Sequence, residues 1–208
     1  LSLKELHCTT LDEPGFLSVC CLHSLESLSF EHRGHFSLQP LCSLQSLKHL
    51  AILLWFKSHT AGLGFALSHM PSLTSLSLFD VGHPTFLYTM PASLRQLDLH
   101  YVKVSELSDC LKVIVQGKCL PAVRQLHVNE LYFGDCALNV SSVHNLGCSL
   151  ASSLSALPSL KLIFDGVYSA PGLRAIHEIL GPLPSVASQL TSAHVRPVLH
   201  NGSVQVSA

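Results

Sequence analysis

A six-residue phrase, leucine-x-x-leucine-x-leucine, recurs along this chain and constrains its fold more than any other feature. It stands at Leu73-Leu76-Leu78 and again at Leu94-Leu97-Leu99, each copy introduced by a proline (Pro71, Pro91). Further copies lie at Leu3-Leu6-Cys8, Leu25-Leu28-Phe30, Leu47-Leu50-Ile52 and Val123-Leu126-Val128. A degenerate copy starts at Leu160, and a last imperfect one is Leu190-Ala193-Val195. Successive anchors are 22, 22, 26, 21, 29, 37 and 30 residues apart. Self-similarity at such a period means one small unit, unable to bury its apolar face alone, stacked on its neighbours.

The spacing fixes what that unit is. The last two leucines of each phrase alternate with polar residues, the period of a strand with one buried face. Strands this short need partners, and copies in one direction along a chain pair as a parallel sheet joined by crossovers. Several intervening segments carry helical apolar spacing: Phe16-Leu17-Cys20-Cys21, Leu63-Ala66-Leu67-Met70, Leu107-Cys110-Leu111-Ile114 and Leu173-Ile176-Ile179-Leu180. The expected architecture is α/β, a curved solenoid with a parallel β-sheet on the concave face and helices and turns on the convex face. Residues 1–180 form this repeat domain, and 181–208 an imperfect last repeat and a poorly ordered tail rich in Pro, Ser and Val. The segment 132–156 is long for one return, leaving room for a helix at Leu146–Leu157 or a degraded repeat.

Composition narrows the function. Charged residues make up 12% of the 208, about half the usual quarter, as expected where faces are spent on stacking. A net charge of −1 offers no field for nucleic acid or an anionic membrane. No apolar run approaches the roughly 18 residues of a membrane span. The 8 cysteines show no C-x-x-C pair and sit mostly among leucines, so reduced core thiols in a cytoplasmic or nuclear protein are expected. The chain starts inside a repeat, which reads as a piece of a longer protein.

On these residues the chain resembles leucine-rich repeat proteins over about 1–180. The family strand motif continues L-x-x-L-x-L with x-x-N/C-x-L. Its first six positions match here, but the asparagine position holds Leu11, Arg33, Trp55, Val81, Val102 and Leu131. The side-chain ladder of the regular subclasses is therefore missing. Uneven repeat lengths are most similar to the irregular repeats of F-box-type proteins, and Leu126–Phe133 (LHVNELYF) is similar to their L-x-L-x-x-V-x-F strand. The resemblance implies a non-catalytic protein-binding module, in the F-box case the substrate-recognition segment of a ubiquitin ligase. Its alternatives are the sensing region of an intracellular immune receptor and a secreted or surface adhesion repeat. A protein partner is implied, with the chain a monomer or part of a larger one.

No residues assemble into recognisable chemistry. Histidine is the outlier at 14, and Glu31-His32-Arg33-Gly34-His35 offers two imidazoles beside a carboxylate. It lacks further ligands at a metal spacing and Arg33 repels a cation, so exposed loop histidines are expected and no metal. No cysteine sits in a nucleophile motif. Gly62-Leu63-Gly64 lacks the third glycine of a dinucleotide fingerprint and a phosphate-loop lysine. No cofactor is expected, and no enzyme.

The functional argument is geometric. Residues between the leucines project from the concave face, giving a central column His7, Ser29, Ala51, Ser77, Asp98 and His127. With strands about 4.8 Å apart, six copies span roughly 25 Å, enough for part of a protein interface. Copies five and six bring together Arg95, Gln96, Asp98, His100, Arg124, Gln125, His127 and Asn129, a patch able to hydrogen-bond a polar partner. Copies three and four place Leu53 and Phe79, with Trp55 nearby, where polar residues are usual. Apolar side chains rimmed by polar ones are the composition of an interface hot spot.

Overall fold

The phrase copies become strands in strict register. A computed structural model describes residues 3–33, 35–54, 62–80, 84–116, 123–132, 148 and 161–167. Seven strands form one all-parallel sheet in chain order: β1 (Glu5–Cys8), β2 (Ser27–His32), β3 (His49–Leu54), β4 (Ser75–Phe79), β5 (Gln96–Lys103), β6 (Gln125–Tyr132) and β7 (Lys161–Val167). Leu6, Leu28, Leu50, Leu76, Leu97, Leu126 and Leu162 stand on one rung, so every copy pairs with the next at the same place in the phrase. Trp55, Val81, the segment 133–147, the helix-like run Leu173–Leu180 and residues 181–208 lie outside the described residues.

The backbone repeats as the side chains do. Lys4, Glu26, Lys48, Thr74 and Arg95, each one residue before its strand, accept two amide hydrogen bonds on one carbonyl from the following copy. The first leucine of a copy closes the turn before it: Leu25, Leu47, Leu73 and Leu94 donate to carbonyls three residues earlier. Ser24 and Ser93 donate their hydroxyls to the carbonyls of Leu3 and Leu73 in the preceding copy.

A second layer covers one side of the sheet. Helix α1 (Glu13–Cys20) starts at Asp12, whose carboxylate accepts the Gly15 amide at 2.9 Å, a capping bond that explains the adjacent acids of Asp12-Glu13. Helices α2 (Leu63–Ser68) and α3 (Val104–Gln116) follow, alternating with 3-10 turns at Gln39–Ser43 and Pro84–Thr89. They touch in the order α1, Gln39–Ser43, α2, Pro84–Thr89, α3. Between the layers lies one core, where Leu28, Leu50, Leu76, Leu97 and Leu126 from the sheet meet Phe16, Leu41, Leu67, Leu87 and Leu111 from the helices. The apolar face of α1 is Phe16, Val19 and Cys20, not the expected Phe16-Leu17-Cys20-Cys21. Leu17 is 45% exposed, because in so short a helix only one stripe meets the core. Among the described residues no helix is long and apolar enough to cross a membrane.

Two expectations about polar groups are corrected. His32 does not lie in an exposed loop; it ends β2 with no exposed surface and sets its ring edge-on to Phe36, 4.5 Å between centroids. It occupies the rung of Leu54, a position that strict alternation turns inward. The thiols also divide. Of the six described cysteines Cys20 and Cys110 are buried free thiols and Cys8 and Cys42 are free and pack half-buried against the core, while Cys21 and Cys148 are exposed. Burial, with the Cys21 and Cys42 thiols beside it, pushes Cys20 up to about 12. Cys110 rises to about 12 through burial and then the nearby Glu106 and Asp109. Since the thiolate is the reactive form, iodoacetamide at about pH 8 is expected to alkylate Cys21 in the folded protein and to reach Cys20 and Cys110 only after unfolding. Peptide mass spectrometry resolves the neighbouring pair, and equal rates at Cys20 and Cys21 contradict this burial.

At the head of the sheet Glu26 is held between Lys4 and Lys48, at 2.5 and 2.6 Å. Hydrogen bonds from Lys4 and Lys48, then their charges, lower its carboxyl from an ordinary 4.5 to about 2. A lowered folded pKa stabilises above the unfolded value and loses that stabilisation as pH falls through the folded one. Between about pH 4.5 and about 2, Glu26→Gln is therefore expected to flatten the acid limb of melting temperature against pH. Superimposable limbs for the two proteins remove the pair from acid stability.

Candidate functional site

The side of the sheet away from the helices carries three columns, set by the register. They are Glu5, Ser27, His49, Ser75, Gln96 and Gln125; His7, Ser29, Ala51, Ser77, Asp98 and His127; and Glu31, Leu53, Phe79, His100 and Asn129. Every leucine-phrase side chain from β2 to β6 is buried between them, while the column residues are partly or fully exposed.

Strands β4 and β5 concentrate the side-chain contacts. The His100 ring stacks on Phe79 at 3.9 Å and 10° between planes, and its Nε2 lies 3.1 Å from Ser77 Oγ. Tyr101 tilts toward the same phenyl ring at 6.4 Å. One rung earlier the Gln96 amide donates to both oxygens of Asp98, at 3.1 and 3.0 Å. His127 Nδ1 stands 3.8 Å from the same carboxylate, whose side chain is 16% exposed. The result is an aromatic row, Phe79, His100 and Tyr101, with Leu53 beside Phe79 on the ladder and a carboxylate next to it.

The backbone bends to make this row. Asp80, just past the end of β4, and Tyr101 in β5 both sit at φ 55, in the left-handed region, each one residue after the paired Phe79 and His100. Asp80 donates its amide to the His100 carbonyl at 3.0 Å. Pairing with β6 passes from His100–Asn129 to Val102–Leu131, skipping Tyr101. The skip reverses the alternation: Tyr101 is 49% exposed and Val102, the next residue, is fully buried. Asp adopts this conformation readily, whereas a tyrosine pays roughly 1–2 kcal/mol for it. Such conformations persist where surrounding contacts impose them.

Of the residues expected at the site, Gln96, Asp98, His100, Gln125, His127, Asn129, Leu53 and Phe79 lie in the three columns. Arg95 and Arg124 do not. Each is exposed in the row that leads into the strands, and the Arg95 guanidinium turns back to the carbonyls of Ala92 and Leu94 at 3.0 and 3.3 Å. They edge the face. Ser77 joins the aromatic row through His100, and Tyr101 enters it through the reversed alternation, which period-2 counting cannot foresee.

Chemically the face offers hydrogen-bonding groups beside rings. A serine hydrolase relay needs the carboxylate on the imidazole that faces the serine. Here the carboxylate is set against His127 and the serine against His100. Among the described residues no group of three or more His, Cys, Asp or Glu is placed to hold a metal. Compared with known proteins, the chain matches no family model and no curated sequence.

Proposed function

We propose that this chain is a leucine-rich repeat solenoid that binds a protein partner on its exposed sheet face, without catalysis. One observation carries the reading: Leu53, Phe79, His100 and Tyr101 form an apolar and aromatic centre, bordered by Ser75, Ser77, Gln96, Asp98 and Asn129, on a face already built by the parallel register. A preformed surface of this kind binds with little ordering cost. Support for the finer reading, the substrate-recognition segment of an F-box-type ubiquitin ligase, comes from the uneven copy spacing and the Leu126–Phe133 strand.

The test is affinity capture with the full chain and two variants. Phe79→Ala removes the central ring and is expected to weaken retention of a specific partner by about 30-fold, the size of a hot spot. Leu17→Ala, on the helical side, is expected to leave retention unchanged. Loss with Leu17→Ala but not with Phe79→Ala sinks the face as the binding surface. The finer reading has its own check, since a ligase substrate accumulates in cells when its receptor is removed and the ligand of an immune sensor does not.

A further inference from the structure

Taking the exposed face as the binding surface, we propose that it recognises an arginine-bearing protein segment, with the guanidinium seated on Asp98 and stacked along the Phe79–His100–Tyr101 row. The charge pattern is the first ground. From β1 to β6 the ionised side chains of the three columns are Glu5, Glu31 and Asp98, with neither lysine nor arginine among them, and on the last described strand β7 adds one residue of each sign at the ends of its columns, Lys161 at the rung of Gln125 and Asp165 at the rung of Asn129. Lys4, Lys48, Arg95 and Arg124 lie off the columns, in the lead-in row. Glu31 is held by Arg33 at 2.7 Å, and Glu5 lies on the edge strand. Asp98 is the carboxylate at the centre.

Its surroundings leave it short of donors. A carboxylate has about four acceptor positions. Both Asp98 oxygens take their hydrogen bond from a single Gln96 nitrogen, and His127 at 3.8 Å is beyond hydrogen-bond reach. At 16% exposure the group has lost most of its water. A charge-assisted donor from a partner restores what burial removed.

The choice of arginine over lysine follows from the neighbouring rings. Asp98 and His100 are two residues apart on one strand face, about 6.6 Å along the sheet. The Phe79 and His100 rings lie parallel, face to face, and Tyr101, tilted by 40° to Phe79 and half exposed, extends the aromatic row into solvent. A planar guanidinium satisfies a carboxylate with two parallel N–H groups and lies flat on rings, whereas an ammonium supplies a point charge alone.

The experiment selects phage-displayed random dodecapeptides on the full chain, on Asp98→Asn and on Phe79→Ala. Arginine is expected to be enriched on the wild type. The best synthetic peptide is expected to bind about 10–100-fold more weakly to Asp98→Asn. Changing its arginine to lysine is expected to cost about 10-fold on the wild-type protein, an arm that needs no variant to fold. Selected peptides that lack arginine, or that lose affinity with Phe79→Ala but not with Asp98→Asn, overturn the arginine assignment and leave the face as the binding surface. Peptides indifferent to both substitutions, or no enrichment at all, overturn the face reading and this inference together.

Discussion

Leu76→Ala is expected to lower stability by about 2–5 kcal/mol, and Ser77→Ala, one residue along, by no more than about 0.5. Leu76 lies in the middle strand of seven and has no exposed surface. Its neighbours on the rung, Leu50 and Leu97, are 2% and 0% exposed, so the lost volume cannot be filled from either side. The cost is transfer of the missing methyl groups plus the cavity they leave. For a chain of this size that corresponds to roughly 5–20 °C in melting temperature. Ser77 sits on the exposed face, where its loss opens one hydrogen bond to His100 that water can replace. Thermal unfolding of the two variants side by side is therefore a test of which way β4 faces. Equal losses mean that the strand does not turn one side to the core.

The strands were legible because the phrase is a physical pattern. Two apolar residues separated by one polar residue allow only one buried face, and six such patterns at similar spacing can share it only in parallel. The register of the leucines from β1 to β6 follows from that constraint, and the three columns of the face follow from the register. Even the degenerate copy after Leu160 pairs as β7, because Leu162 and Phe164 keep the two-residue step.

Legibility failed where a contact outside the phrase decides conformation. Helix α3 was visible in Leu107-Cys110-Leu111, yet the 3-10 turns Gln39–Ser43 and Pro84–Thr89 have too few residues to show a period. His32 looked like part of a polar loop, and strand pairing carried it inward beside Phe36. Strict alternation along β5 turns residue 101 inward, whereas the left-handed backbone at Tyr101 carries its side chain outward. Arg95 and Arg124 looked like face residues because they neighbour Gln96 and Gln125, but they lie on the wrong side of the strand boundary. The site was thus readable at the level of columns and unreadable at the level of individual contacts.

Gly62→Ala is expected to destabilise the protein by about 2–5 kcal/mol, although it adds a single methyl group at a half-buried position. Gly62 precedes α2 with φ 79, where an L side chain costs roughly 1–2 kcal/mol. Space is the second obstacle. A Cβ there meets Ser37 Oγ at 2.6 Å and the backbone nitrogen of Gln39 at 2.9 Å. The hydroxyl can rotate away, but the Gln39 amide belongs to the 3-10 turn that packs on α2, and it already donates to Ser37 Oγ at 3.2 Å. Moving it disturbs the second layer between two copies. Gly62→Asn separates the two causes, because asparagine tolerates the left-handed region and still carries a Cβ. If the backbone angle dominates, chemical denaturation finds the asparagine variant about 1 kcal/mol more stable than the alanine variant. If the contact with Gln39 dominates, the two fall together. A Gly62→Ala protein as stable as the wild type means that the chain before α2 does not press on the Gln39–Ser43 turn, and the close stacking of the helical layer is then wrong at this point.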